Sequence, residues 1–180
     1  MKYTLQDCID LATFAHRHQY DKAGEPYINH PLRVLESVKA IGAQPYVQMA
    51  AVLHDVTEDT PFTCDMLLTL GVPEAAVNIV KLVDRDRSAA EFYRYEYVGG
   101  NIIAGRYGQP KQYPFDKDTL DYKTAVDDYY YKNICKNPGA LIVKKADIGD
   151  NLQPWRLEYL SDETQTRLRA KYAKALEALR

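Results

Sequence analysis

The sequence predicts an all-α protein, and three observations predict it. Apolar residues recur at three- and four-residue spacing along most of the chain, no run of useful length alternates with a strand period, and the C-terminal run DETQTRLRAKYAKALEAL is rich in strong helix formers. The chain has 180 residues and no internal repeat, which predicts a single domain over residues 1–180 able to bury its own core.

The elements follow in order. Over about 4–18, Leu5, Cys8, Leu11, Ala12 and Ala15 share one helical face. YDKAGEPYINHP breaks that period, and Pro31 suits the first turn of a second helix running to about residue 41, with His30 at the loop-to-helix junction. A third helix over about 45–58 carries Val47, Ala50, Ala51, Val52 and Leu53 and ends where Pro61 forbids continuation. Two shorter helices, 63–70 and 73–83, are separated by Gly71. Between about 88 and 119 the glycines and prolines of EFYRYEYVGGNIIAGRYGQPKQYPFDKD predict a long insertion or lid, helical at its start. Helices then resume over about 120–136 and from Pro138 through LIVKKADIGDNL to the C-terminal run.

Composition narrows the function. The N-terminal segment lacks a continuous apolar stretch, so neither a signal peptide nor a membrane span is expected, and the protein is placed in the cytoplasm. Cys8, Cys64 and Cys135 are odd in number and show no metal-binding spacing, as expected of reduced thiols. A net charge of −2 offers no field for long nucleic acids, while local basic clusters suit a small phosphorylated ligand. Fifteen tyrosines, concentrated over 93–131, are expected chiefly as packing, with a stacking platform for a base as the other reading. Arg85, Arg87, Arg94, Arg106, Lys111 and Lys117 read as solvated charges or as the basic groups of a lid.

The chemistry centres on HDVTED. In a continuous helix His54 stacks over Glu58 and Asp55 over Asp59, and two further carboxylates at a helix C-terminus oppose the macrodipole. A bound cation resolves both conflicts. Mixed imidazole and carboxylate ligands favour manganese, iron or zinc over calcium or magnesium. Two adjacent ligands do not complete a site, and the candidates for the remainder are His30 and Asp147. Such an ion activates water and polarises a phosphoryl oxygen, while Glu58 and Asp59 direct the water.

AHRHQYDKAGEPYINHP, AAVLHDVTEDT and IVKKADIGDNL, in this order, resemble the HD hydrolase domain of RelA/SpoT homologues, in particular the small hydrolase-only members. The resemblance spans about two thirds of the chain. It implies a divalent metal, Mn²⁺, held by His30, His54, Asp55 and Asp147. It implies a catalytic acidic pair in Glu58 and Asp59, substrate contacts by Lys22 (phosphate) and Asn151 (ribose, or groups behind the ligands), and removal of the 3′-pyrophosphate of (p)ppGpp to leave GDP or GTP. Three features depart from the pattern. Asp21 stands where the family carries a base-holding arginine, VDRD at residues 83–86 replaces a threonine-containing turn, and the Tyr-rich stretch is longer. Reversing the charge at residue 21 removes a stacking or phosphate contact and repels an anion.

Three readings therefore remain open: the alarmone hydrolase, an HD phosphatase or pyrophosphohydrolase on another nucleotide such as an adenine alarmone or NADPH, and a non-catalytic nucleotide-binding regulator. His30 alone reads as a structural histidine, and the motif set reverses that; for HDVTED a solvated helix end is the lesser reading, because Ala50 to Leu53 bring the helix into the core without a polar break, and for Asp147 a cap or a pair with Lys144 or Lys145 yields to its place in VKKADIGDNL. His16 falls near the apolar face of the first helix and His18 faces solvent, and both are read as structural.

Overall fold

A computed structural model describes residues 3–92 and 120–180. Its helices are α1 (Leu5–Ala15), α2 (Asn29–Ala40), α3 (Pro45–Leu53), α4 (Val56–Asp59), α5 (Cys64–Leu70), α6 (Glu74–Val83), α7 (Arg85–Phe92), α8 (Leu120–Cys135), α9 (Pro138–Asn151), α10 (Pro154–Leu157) and α11 (Asp162–Ala178). Among the described residues the fold is all-α, as the periodicity predicts, with one isolated bridge between Tyr20 and Pro26.

α3 is the centre of the packing, against α1, α2, α6 and α9. Six of its nine residues, Val47, Met49 and the run from Ala50 to Leu53, are buried. A helix apolar on all sides belongs inside, and each such Val or Leu contributes about 1.5–3 kcal/mol by leaving water. Local signals fix the ends. Thr4 and Asp7 form a reciprocal capping box on α1, Gly71 closes α5 in the left-handed region at φ 95°, and Asn137 and Ser161 cap α9 and α11.

The helix expected over 45–58 is not continuous. It breaks at His54–Asp55, where Asp55 has φ −95° and ψ −6°, and restarts as the short α4. α2 begins at Asn29, so His30 lies inside its first turn rather than before it. The VDRD segment is a tight α6-to-α7 junction: Asp84 accepts hydrogen bonds from the Arg87 amide at 2.8 Å and from Thr57 Oγ1 at 2.9 Å, tying α4 to α7. α10 was not expected. The insertion over about 88–119 begins as helix through Phe92, and its remainder lies outside the described residues, as do Arg94, Arg106, Lys111 and Lys117 and most of the tyrosines of 93–131. Cys8, Cys64 and Cys135 are free thiols. Among the described residues no helix is long and apolar enough to cross a membrane.

Gly139 lets α9 approach α6. A Cβ there would lie 2.5 Å from Ile79 Cδ1, in the fully buried core. Gly139→Ala gains about 0.5–1 kcal/mol of helix preference but overpacks at a cost of about 1–3 kcal/mol, so the expected result is a net loss of about 1 kcal/mol in urea unfolding. In an Ile79→Val background, which removes the clashing methyl, the same change becomes neutral or stabilising.

Candidate metal centre and its cavity

The break between α3 and α4 brings the HD pair to the first turn of α2 and the middle of α9. One nitrogen or oxygen from each of His30, His54 and Asp55 lies within 4.8 Å of the others. Asp147 Oδ1 joins them, 3.3 Å from His30 Nε2 and 3.9 Å from His54 Nε2, while Asp55 Oδ2 is 3.6 Å from His30 Nε2 and 3.1 Å from His54 Nε2. All four expected ligands thus converge from three segments of chain.

Both imidazoles are held by their far nitrogens. His54 Nδ1 is 2.8 Å from the Ala51 carbonyl and His30 Nδ1 is 2.7 Å from Asp150 Oδ2, so each ring donates there and turns Nε2 inward as a lone pair. His54 Nε2 is buried and has no aligned hydrogen bond, even with Asp55 so near. Ligand atoms on a first-row cation with bonds of about 2.1 Å lie about 3–4 Å apart, which matches this spacing. The donor set fits such an ion.

Without a cation the four groups share protons. Burial alone would lower His54, but the Asp55 carboxylate more than offsets it and raises the imidazole to about 9. Burial likewise opposes ionisation of Asp55, yet His54 holds it down to about 2. His54 then stabilises the metal-free fold fully below its unfolded value of about 6.5, and that contribution is lost as pH rises through 9. The Asp55 contribution is complete above about 3.8 and is lost as pH falls through 2. The metal-free protein should therefore melt highest between about pH 4 and 6.5, and Mn²⁺ added at pH 7 should release protons, as titration in two buffers of different ionisation enthalpy would measure.

Three of the four ligands, His30, Asp55 and Asp147, line a cavity of about 480 Å³, large enough for a nucleotide-sized molecule, with His54 buried behind them. Glu58, Asp59, Lys22 and Asn151 all line it. Glu58 Oε2 accepts from the Arg85 amide at 3.0 Å, and loss of solvent raises its proton affinity. Asp59 is raised by the same loss of solvent and by the Asp55 charge. Tyr27 donates to Asp55 Oδ2 at 2.8 Å. Asn151 Nδ2 donates to Asp147 Oδ1 at 2.6 Å, and Lys144 pairs with the other oxygen at 2.8 Å. Asn151 thus lines the cavity with its amide against Asp147, which matches the second of the two contacts expected for it.

Sequence reasoning missed several groups. Asp150, one turn past Asp147, receives His30, Arg33 (2.6 Å) and Arg156. Arg156 also faces Asp21 at 3.8 Å. Asp21 itself accepts from the amides of Ala23 (2.9 Å) and Glu25 (3.0 Å). Its carboxylate lines the cavity, caps its own loop and faces an arginine, which moderates the negative charge expected there. Lys171, on α11, adds a cation to the far wall. The one available signal was Asp150 itself, a second acid on the inward side of an apolar helix.

No protein-family model matches the chain. A guanosine-3′,5′-bis(diphosphate) 3′-pyrophosphohydrolase of Haemophilus influenzae is 38% identical over 74 residues, 41% of this chain and 10% of that one. An enzyme of the same description from Drosophila melanogaster is 37% identical over 86 residues, 46% of this chain and 48% of that one. This chain therefore spans from about a tenth to about half of the length of these curated relatives. A solved structure described as a metazoan ortholog of SpoT that hydrolyzes ppGpp and plays a role in starvation responses superposes with TM-score 0.68 at 23% identity, over 98% of this chain and 85% of that one. The fold is the all-α HD-type fold. The resemblance drawn from the three motifs is thus borne out by the sequence relatives, and the expected fold by the superposition; in this chain it is the α3–α4 break that presents His54 and Asp55.

Proposed function

We propose that the protein is a metal-dependent phosphohydrolase that removes the 3′-pyrophosphate of (p)ppGpp, using Mn²⁺ held by His30, His54, Asp55 and Asp147. The observation that carries this reading is the convergence of four ligand atoms around the unpartnered His54 Nε2, beside two carboxylates of raised proton affinity. The printed activities of the relatives supply the substrate. A bound Mn²⁺ supplies a Lewis acid that polarises the scissile phosphoryl group and acidifies water. Glu58 and Asp59 take the proton of the attacking water and return one to the departing 3′-oxygen as the P–O bond breaks, leaving GDP or GTP and pyrophosphate. Lys22 meets phosphate, Asn151 and Lys144 orient Asp147, and the reaction belongs to the cytoplasm.

The test is pyrophosphate release from ppGpp by purified protein with Mn²⁺; absence of turnover overturns the reading. Asp21 favours a second one. The loop position is occupied by a self-capped acid paired to Arg156, so another nucleotide, such as an adenine alarmone or NADPH, fits the same metal chemistry. A nucleotide panel separates the two, and clear preference for guanine removes the second.

A further inference from the structure

We infer that Gln19 is a positioning residue for Asp59, and that His16 locks the Gln19 amide in the orientation this requires. The inference rests on the assignment of Asp59 to proton transfer made above. Asp59 closes the four-residue α4, and the chain turns extended at Thr60. Its carbonyl is taken instead by Gln19 Nε2, 2.7 Å away across 40 residues of sequence.

A carboxamide has one donating and one accepting end. With the nitrogen committed to Asp59, Gln19 Oε1 must accept, and it lies 2.6 Å from His16 Nδ1. His16 therefore carries its proton on Nδ1. The ring is 1% exposed, packs 5.0 Å from the Tyr27 ring, and leaves Nε2 buried without a partner. An apolar side chain would fill this position without that desolvated nitrogen. What the imidazole adds is a fixed donor for Gln19.

The same loop reaches Asp59 a second time. The Tyr27 amide donates to the Gln19 carbonyl at 2.9 Å, pairing the two residues across the loop, and the Tyr27 hydroxyl stands between Asp55 and Asp59. Gln19 fixes the backbone of Asp59 while Tyr27 addresses its side chain. Asp59 is thereby set relative to the ligand Asp55 by contacts that belong to neither α4 nor the metal.

Gln19→Glu tests this, because it keeps an acceptor for His16 and removes the donor to Asp59. The expected result is a fall in kcat of about 10- to 100-fold, with KM and Mn²⁺ stoichiometry within about twofold of wild type. His16→Asn, which offers an amide nitrogen where Nδ1 stood, should retain most of kcat, whereas His16→Leu should fall toward Gln19→Glu. Unchanged kcat in Gln19→Glu, or equal loss in His16→Asn and His16→Leu, overturns the inference. If wild type hydrolyses no nucleotide of the panel, the proposed function fails by itself, and long-range ¹H–¹⁵N NMR of His16 still decides the device: the Nδ1–H tautomer supports it and Nε2–H overturns it.

Discussion

Asp55→Ala is expected to lower Mn²⁺-dependent pyrophosphate release by roughly 10³-fold or more. The aspartate offers one oxygen to both imidazoles, 3.1 Å from His54 Nε2 and 3.6 Å from His30 Nε2, so its loss opens the ligand set between the two rings. A cation supplies several kcal/mol of transition-state stabilisation, and each 1.36 kcal/mol is tenfold in rate. Asp55→Asn keeps an acceptor for Tyr27 and the shape of the side chain, so an equal loss in that variant assigns the effect to charge. The substitution carries its own control. Because Asp55 is the largest of the groups that raise His54 against the effect of burial, with Asp147 and the Ala51 carbonyl behind it, the metal-free variant should show a shallower decline in melting temperature between about pH 6.5 and 9. Retention of more than about a tenth of the turnover would sink the ligand assignment.

Asp150→Ala should damage both the fold and the metal affinity. One carboxylate receives His30 Nδ1, Arg33 and Arg156, and its removal leaves these donors facing one another. Breaking a buried ion pair costs about 3–5 kcal/mol; Arg33, with a third of its side chain exposed, recovers water, so the low end, about 3 kcal/mol, is expected in denaturant unfolding. His30 would lose the contact that fixes its tautomer, and Mn²⁺ affinity should fall about 10- to 100-fold by calorimetry. Asp150→Asn retains an acceptor and should show the smaller part of each effect. Mn²⁺ affinity unchanged in Asp150→Ala would show that His30 is oriented by packing alone.

The legible part of this protein was the part written in short-range pattern. The 3.6-residue period found α1, α3, α6, α9 and α11 because each buries one face or, for α3, every face, and Thr4, Gly71 and Ser161 mark ends through bonds to residues three or four away. The ligand candidates were legible because imidazoles and carboxylates interrupting apolar runs have few cheap explanations. What was not legible lives in tertiary contact. The α3–α4 break has no proline or glycine to announce it. Asp150 reaches His30 across 120 residues and Gln19 reaches Asp59 across 40, and no local rule assigns such partners. Asn151 illustrates the intermediate case: the motif left two contacts open for it, and the tertiary structure sets its amide against Asp147.

Arg156 gives the cavity wall and the metal a common support. One guanidinium touches Asp150, which orients His30, and faces Asp21, which shapes the loop carrying Lys22. A ligand that drew Asp21 or Arg156 toward itself would shift the contact that orients His30, and reciprocity would then make a cation held by His30 change the affinity for that ligand by the same factor. Were the proposed cation and nucleotide both bound, their affinities would be linked through Arg156, and a nucleotide affinity would have meaning only at a stated concentration of free metal.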